Sequence, residues 1–305
     1  MTATMAASRS ASGQTAANPR TCPDRHPASD GGARAAMPTI GNMLWRIGAL
    51  LGIGEQLAWS RDAGFEGVGF HASAGVAGQW RGIDPGHCTA ADRQRLRGEL
   101  ADFAFVEVHA PLGITLRDAS LRTDLTALGP TLAFAGDVGA RVLTVHATLP
   151  AKRDCPDAPD AWLDLMRELA ARAAAAQLTV GLEITDGFDA VVGWGLPSVG
   201  VTLDVGHMLL PAYRHILSRN GGFGPLIRRL GNSLVHLHLH DVAGTTDHVE
   251  IGTGTVPFGE IAEALRHLAY RRSATLELNP DRVSPEGIRR SADRIRAWLH
   301  PAGPV

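Results

Sequence analysis

Short apolar runs and longer helical patterns alternate along the chain from Met37 onward. The apolar runs with the length of strands are 38–44, Gly67–His71, Phe105–Pro111, Val142–Ala147, Thr179–Thr185, Val199–His207, Leu234–Asp241 and Thr275–Asn279. Helical periodicity lies between them, over Gly54–Ala63, Ala90–Ala101, Leu125–Val138, Ala158–Ala176, a stretch from Leu209 to Leu230 that Pro and Gly interrupt, Phe258–Ala269 and Pro285–Leu299. Repeated strand and helix units of this kind are typical of a parallel sheet.

This alternation predicts an α/β protein in which residues 37–305 form one domain. Eight strands with intervening helices in about 270 residues match the size and order of a closed (β/α)8 TIM barrel. An open, doubly wound parallel sheet is the alternative, but the first strand is not followed by the G-x-G-x-x-G segment of dinucleotide-binding sheets. We therefore expect the barrel.

Residues 1–36 differ in composition from the rest of the chain. They are rich in Ala, Ser, Gly and Arg, contain no acidic residue before Asp24, and show no hydrophobic periodicity. Such a segment buries too little apolar surface to offset the entropy of ordering, so we predict a disordered N-terminal tail. The Arg and Ser bias also suits a transit peptide, and Met37 suits an alternative start of the protein.

The overall composition argues against several classes of protein. Of the 305 residues, 45% are apolar, and 29 Lys and Arg nearly balance 31 Asp and Glu, which leaves no basic excess for binding nucleic acid. No apolar run is long enough to span a membrane, and the N-terminus lacks the apolar stretch of a secretory signal. Three cysteines without a C-x-x-C motif suit a reducing compartment. We expect a cytoplasmic protein with neither nucleic acid nor a membrane as its partner.

Three predicted strands share a pattern in which an acid lies inside an apolar run. The runs are Val180–Ile184, Val201–Val205 and Ala274–Leu278, and their acids are Glu183, Asp204 and Glu277. Because strand side chains alternate between faces, these acids would point to the barrel axis together with Gly181, Thr202 and Thr275. Three converging carboxylates would repel one another unless they are protonated, paired with arginines, or bound to a cation. A divalent metal explains all three at once, whereas separate arginine pairs would explain any single one.

The strand Leu234–Asp241 places three histidines on one face. His236, His238 and His240 alternate with Val235, Leu237 and Leu239. Inner barrel positions are normally apolar, so a row of imidazoles there indicates at least one metal ligand. We expect His238 to be a ligand, and His236, near the start of the strand, to be a hydrogen-bonded core residue. His240 would lie behind the ligands or face the substrate.

Three more histidines close predicted strands at the same end of the barrel. They are His109 after Glu107-Val108, His146 after Val145, and His207 three residues beyond Asp204. Each one alone would most simply be a hydrogen-bonded loop residue. Their clustering at the C-terminal rim, where barrels of this type carry their active sites, marks them as residues that line a site.

In this order, the strand-end motifs resemble those of the xylose isomerase-like superfamily of sugar phosphate isomerases and epimerases, which also contains endonuclease IV. The resemblance covers residues 37–300, through Val108-His109-Ala110-Pro111, Val145-His146, Gly181-Leu182-Glu183, Leu203-Asp204-Val205-Gly206-His207, His238-Leu239-His240-Asp241, Asp247-His248 followed by Gly252-Thr253-Gly254, and Leu276-Glu277. It implies a divalent metal, one of Mn, Mg, Co or Zn. The ligands that it implies are Glu183, Asp204, His238 and Glu277.

The resemblance also implies a metal-dependent isomerase or epimerase that acts on a small carbohydrate. The expected reaction removes a proton next to a carbonyl to give an enediolate, with the metal as Lewis acid. Glu183 and Glu277 would be the acid/base pair, and His207 would orient a substrate hydroxyl. A dehydratase acting on an inosose would use the same groups, and a barrel that binds carbohydrate without catalysis is a further alternative. Each of these proteins could form a homo-oligomer.

A rival hypothesis is a zinc phosphodiesterase like endonuclease IV, which uses three zinc ions at abasic sites in DNA. His109, His146 and His207 match its extra ligand positions, and His240 and His248 are further candidates for metal or substrate binding. The balanced charge argues against a DNA substrate. Asp247 and His248 are adjacent in sequence, and neighbours in an extended strand point to opposite sides. We expect only His248 to face the site, which would leave a third metal site without a carboxylate.

Overall fold

The structure, a computed structural model, describes residues 38–45, 52–75, 81–149 and 158–299 of the chain. The tail predicted over residues 1–36 lies outside the described residues and stays a prediction. Among the described helices, none is both long enough and apolar enough to cross a membrane.

Strands and helices alternate through the described residues. The strands are β1 (Thr39–Leu44), β2 (Gly67–His71), β3 (Phe105–His109), β4 (Thr115–Arg117), β5 (Val142–Thr148), β6 (Thr179–Glu183), β7 (Val199–Asp204), β8 (Leu234–Leu239), β9 (Asp241–Ala243), β10 (Thr246–Val249) and β11 (Ser273–Leu276). The helices are α1 (Ile53–Asp62), α2 (Ala90–Leu100), α3 (Leu121–Asp137), α4 (Ala158–Ala175), α5 (Phe188–Trp194), α6 (Arg214–Arg219), α7 (Phe223–Leu230), α8 (Phe258–His267) and α9 (Pro285–Leu299).

Eight parallel strands close into a barrel. Each of β1, β2, β3, β5, β6, β7, β8 and β11 pairs with the next, and β11 pairs back with β1. The predicted (β/α)8 TIM barrel is therefore confirmed over the open sheet. Two small additions lie outside the ring: β4 extends along β5, and β9 pairs antiparallel with β10 as a hairpin after β8.

The inner face of the barrel carries a polar layer below the C-terminal rim. Thr202 Oγ1 lies 3.2 Å from Thr144 Oγ1, and Thr275 Oγ1 lies 3.0 Å from His236 Nε2. Gly181 makes room for this layer, because a Cβ at that position would lie 1.9 Å from Thr202 Oγ1. The intervening leucines belong to the hydrophobic core, as the predicted alternation requires. Polar side chains thus fill a level that is usually aliphatic in such barrels.

Several elements differ from the expectation drawn from the sequence; β11, for example, is Ser273–Leu276 where the sequence predicted Thr275–Asn279. Strand β7 ends at Asp204, and His207 begins a single 3-10 turn instead of continuing the strand. Helix α5 has no counterpart among the predicted helices. It is 7 residues long and lies between Gly187 and Gly195, whose φ angles are 79° and 59°. A helix this short, bounded by left-handed glycines, contains too few periodic positions to give a sequence signal.

Candidate metal and catalytic site

A cavity of about 210 Å³, lined mainly by histidine and glutamate side chains, opens at the C-terminal ends of the barrel strands. It is lined by Trp45, His71, His109, Leu112, His146, Glu183, His207, His248 and Glu277. Parallel strands carry their carboxyl ends to one edge, so acids and imidazoles from separate strands meet there. The predicted rim histidines, His109, His146 and His207, all line this cavity.

The four residues predicted as metal ligands come together at the base of the cavity. His238 Nδ1 lies 3.1 Å from Glu277 Oε2 and 3.5 Å from Glu183 Oε2. Asp204 is the register partner of His238 on the neighbouring strand β7. One ligand atom from each of Asp204, His238 and Glu277 falls within 4.8 Å of the others. This donor set of one imidazole and three carboxylates is one that divalent ions accept.

The His238 ring is fully buried, and its two nitrogens have different surroundings. Nε2 lies 2.7 Å from Glu107 Oε1, whereas Nδ1 has no hydrogen-bond partner. Burial lowers the pKa of His238, but the charges of Glu107 and Glu277 outweigh it and raise the pKa well above its ordinary value. A buried imidazole nitrogen that faces carboxylates without a hydrogen bond is suited to a cation placed between them.

Glu183 is the carboxylate that the rim histidines surround. His109 Nε2 and His146 Nε2 each lie 3.2 Å from its Oε2, and His207 Nδ1 lies 3.2 Å from its Oε1. Burial raises the pKa of Glu183, but the charge of His146 and the hydrogen bonds from these histidines hold the pKa well below its ordinary value. Glu183 is therefore an ionised carboxylate at neutral pH.

Asp204 and His207 form a second close pair across the turn that follows β7. The backbone N–H of His207 donates to Asp204 Oδ1 at 2.8 Å, and His207 Nδ1 lies 3.0 Å from Asp204 Oδ2. Burial lowers the pKa of His207, but the charge of Asp204 and the hydrogen bond to Glu183 raise it to about 10. His207 thus holds a proton beside the cavity at neutral pH.

His240 does not line the cavity, although the sequence left it open as a metal or substrate ligand. Its Nδ1 accepts a hydrogen bond from the backbone N–H of His248 at 2.9 Å, so Nε2 carries the proton. Nε2 lies 2.9 Å from Asp204 Oδ1. Both ring nitrogens of His240 are therefore engaged, and the ring holds the carboxylate of Asp204 on the side away from the cavity. This is the supporting role predicted from the sequence as one of two possibilities.

Of Asp247 and His248, only His248 lines the cavity, and the expectation that His248 alone faces the site stays a prediction. Asp247 Oδ2 lies 3.9 Å from His207 Nε2, and Asp247 Oδ1 lies 3.2 Å from His248 Nδ1. His248 has a φ angle of 52°, and the β9–β10 pairing loses its regular register over the same residues. Burial lowers the pKa of His248, but hydrogen bonds with Asp247 and Glu277 raise it to about 9.

The loop beyond the hairpin is fixed by the buried carboxylate of Asp241. It accepts backbone N–H bonds from Gly252 at 2.8 Å, Gly254 at 2.9 Å and Val256 at 3.0 Å. A Cβ at Gly254 would lie 2.3 Å from Asp241 Oδ1, so only glycine allows this approach. The Gly-Thr-Gly segment is thus folded onto an internal acid.

Two residues of the site were not assigned from the sequence. His71 ends β2, and its Nε2 lies 3.9 Å from Glu277 Oε1. Like His109, it is a histidine at the C-terminal end of a barrel strand. Burial is the main cause that lowers the pKa of His71 to about 3, so its ring is neutral. Glu107, on β3, contacts His236 and His238 from below. A single acid in the run Phe105–His109 gave no sign of reaching across the barrel.

His236 is the hydrogen-bonded core residue that the sequence predicted. The ring is fully buried, with Nδ1 2.7 Å from Ser273 Oγ and Nε2 2.9 Å from Glu107 Oε2. Burial raises the pKa of Glu107, but the charges of His236 and His238 outweigh it and hold the pKa well below its ordinary value. A negative charge is thereby held beneath the ligand set.

Solved structures with the same fold include several sugar epimerases. D-psicose 3-epimerase from Clostridium cellulolyticum H10 superposes with a TM-score of 0.66 at 16% identity, covering 86% of this chain and 99% of that one. The 3-keto-D-glucoside 4-epimerase from E. coli gives 0.61 at 17% identity, covering 85% and 99%. A xylose isomerase domain protein from Planctomyces limnophilus gives 0.64 at 15% identity, covering 87% and 98%. At these identities the likeness shows the fold.

Sequence comparison identifies the family. An uncharacterized protein from Methanocaldococcus jannaschii is 28% identical over 81 residues, a match that spans 26% of this chain and 26% of that protein. A much longer match, over residues 57–298, is to the family described as Xylose isomerase-like TIM barrel. The chain therefore belongs to the xylose isomerase-like TIM barrel family.

Proposed function

We propose that the protein is a divalent-metal-dependent sugar isomerase or epimerase. The observation that carries the proposal is the buried Nδ1 of His238, which has no hydrogen-bond partner and lies within 3.5 Å of the carboxylates of Glu183 and Glu277. Asp204 completes the set from β7. Desolvated carboxylates of this kind are stable next to a cation and costly without one.

The ligand set suits Mn, Mg, Co or Zn and does not select among them. Glu183, Asp204, His238 and Glu277 would hold the ion. When bound, a divalent ion supplies Lewis acidity that polarises a substrate carbonyl and stabilises negative charge on its oxygen.

The protein's own acids and imidazoles divide the proton chemistry between them. Glu183 and Glu277 are ionised, because nearby histidines outweigh the effect of burial and hold both pKa values well below the ordinary value. Ionised carboxylates at the ends of two separate strands can each take a proton from carbon. His207 and His248 are protonated and line the cavity, so each can donate a hydrogen bond to a substrate oxygen.

Removal and return of a proton at one carbon gives epimerisation, and return at the neighbouring carbon gives isomerisation. The epimerases among the structural neighbours support this class of reaction for the fold. A cavity of about 210 Å³ that combines the Trp45 ring with imidazoles and carboxylates suits a small carbohydrate. Elimination of water from an inosose would begin with the same proton abstraction.

The experiment is proton exchange from substrate carbon in deuterated water, with the metal-loaded protein and a panel of free ketoses, ketose phosphates and inososes. We expect deuterium to enter a carbon next to a carbonyl in one of them. Glu183→Gln and Glu277→Gln should each slow exchange by more than about a hundredfold, the scale of lost general base catalysis. Glu99→Gln, on the outer helix α2, is the matched control and should exchange normally.

Exchange at the wild-type rate in both site variants would remove Glu183 and Glu277 from the reaction. Release of water from an inosose, with no isomerised or epimerised product from any sugar, would assign the lyase reaction instead.

A metal-dependent phosphodiesterase is the second candidate, and one observation favours it. Asp247, His207 and His248 form a further group of donors, with 3.9 Å and 3.2 Å separating Asp247 from the two rings. The nearly balanced charge of the chain opposes a nucleic acid substrate. Incubation with an abasic duplex at low salt distinguishes the two. Metal-dependent nicking that is lost in His109→Ala would replace the isomerase proposal, and we expect none.

A further inference from the structure

Glu107 lies at the centre of the barrel, one level below the cavity, and has no exposed surface. Its strand, β3, lies across the barrel from β8, yet its carboxylate reaches two histidines of β8. Gly69 on the adjacent strand β2 leaves space for it, because a Cβ there would lie 3.0 Å from Glu107 Oε2. The carboxylate lines no part of the cavity and cannot touch a substrate.

Both oxygens of Glu107 are occupied by donors. Oε1 accepts from Thr144 Oγ1 at 2.6 Å and lies 2.7 Å from His238 Nε2. Oε2 lies 2.9 Å from His236 Nε2. A carboxylate only accepts hydrogen bonds, so the short contact to His238 places a proton on Nε2 of that ring.

We propose that Glu107 is a positioning residue that fixes the orientation of His238 and keeps its Nδ1 lone pair directed between Glu183 and Glu277. This inference rests on the metal site of the proposed function. With Nε2 engaged by Glu107, the ring can neither rotate by half a turn nor offer Nε2 to the ion. The negative charge also makes Nδ1 a stronger donor to a cation.

If Glu107 only packed the core, Glu107→Gln would have little effect on metal binding. Packing depends on the size and shape of the side chain, and glutamine preserves both. In Glu107→Gln, however, the amide presents one acceptor and one donor to three groups that all donate: His236, His238 and Thr144. The amide oxygen can face only one of the two rings, and in either orientation His238 loses the negative charge beside its Nε2.

The experiment compares Mn²⁺ binding, measured by titration of the purified full chain, in the wild type and Glu107→Gln. We expect the variant to bind Mn²⁺ about 10-fold to 100-fold more weakly, the usual effect of losing such a supporting carboxylate. Ser273→Ala is the matched control. It removes the hydrogen bond at 2.7 Å to His236 Nδ1 in the same buried layer without touching His238, and its Mn²⁺ affinity should be unchanged.

A second measurement needs no variant. In the Zn²⁺-loaded wild-type chain, the ¹⁵N resonances of the His238 ring should show Nε2 carrying a proton and Nδ1 bound to metal. Binding through Nε2 would overturn the proposal, as would unchanged Mn²⁺ affinity in Glu107→Gln. A wild-type chain that binds no metal would instead remove the proposed function, and with it the basis for a role of Glu107.

Discussion

Removing the metal should lower the thermal stability of the barrel by an amount that the site allows us to work out. Glu183, Asp204 and Glu277 are buried, and His238 Nδ1 lies 3.1 Å from the carboxylate of Glu277, so the unfolded chain does not reproduce this arrangement. An ion that binds only the native state, at a free concentration of about a thousand times its dissociation constant, stabilises by about 4 kcal/mol. At roughly 2–4 °C per kcal/mol for a domain of this size, chelation should lower the melting temperature by about 8–16 °C.

The assay is calorimetric or fluorescence-monitored melting of the full chain, with excess chelator and with saturating Mn²⁺. His238→Ala should lose most of the difference between the two conditions, because it removes the one imidazole of the ligand set. His87→Ala is the matched control, since His87 is exposed and pairs with Asp84 on the surface. It should retain the full difference.

Two results would refute this reasoning. One is a wild-type chain whose melting temperature is the same with chelator and with Mn²⁺. The other is a His238→Ala chain that Mn²⁺ stabilises as much as it stabilises the wild type, which would place the ion elsewhere.

Three other predictions concern the barrel away from the ion. Gly181→Ala should destabilise by about 1–3 kcal/mol in chemical denaturation, because its Cβ would overlap Thr202 Oγ1; adding Thr202→Ala should restore part of that loss, and strict additivity would contradict the clash. The hydrogen bond from Arg290 lowers the pKa of Glu250 below its usual 4.5, so this pair stabilises above that pH and the stabilisation is lost as pH falls through the lowered pKa. Glu250→Gln should therefore flatten the acid limb of the stability curve, by under about 1 kcal/mol; an unchanged limb would rule this out. Deleting residues 1–36 should leave melting temperature and activity nearly unchanged, because the segment has no apolar pattern for docking; loss of soluble protein would show the opposite.

The barrel and the convergence of the proposed ligands could be predicted because both follow from strand periodicity. Strand side chains alternate faces, and parallel strands end at one rim, so Glu183, Asp204, His238 and Glu277 had to approach one another once the barrel was assumed. The prediction needed no knowledge of any loop. His71, at the end of β2, follows from the same strand-end geometry.

The remaining features depend on conformations and distances that a pattern does not encode. His248 has a left-handed backbone beside Asp247, and a non-glycine residue in that region has no reliable sequence signature. The contact between Glu107 and His238 joins residues 131 positions apart, from strands on opposite sides of the barrel. Both depend on tertiary packing, which the order of hydrophobic and polar residues does not specify.

The hydrogen bonds to Asp241 have a consequence for how the site is assembled. The amides of Gly252, Gly254 and Val256 are already committed to an internal carboxylate, so they cannot also cradle a phosphate. They also anchor the segment that follows the hairpin of Asp247 and His248. A loop that closes over a ligand loses conformational entropy on binding. The segment held by Asp241 has already lost this entropy during folding. A ligand that binds beside His248 would therefore meet a preorganised hairpin, and none of its binding energy would be spent on ordering that segment.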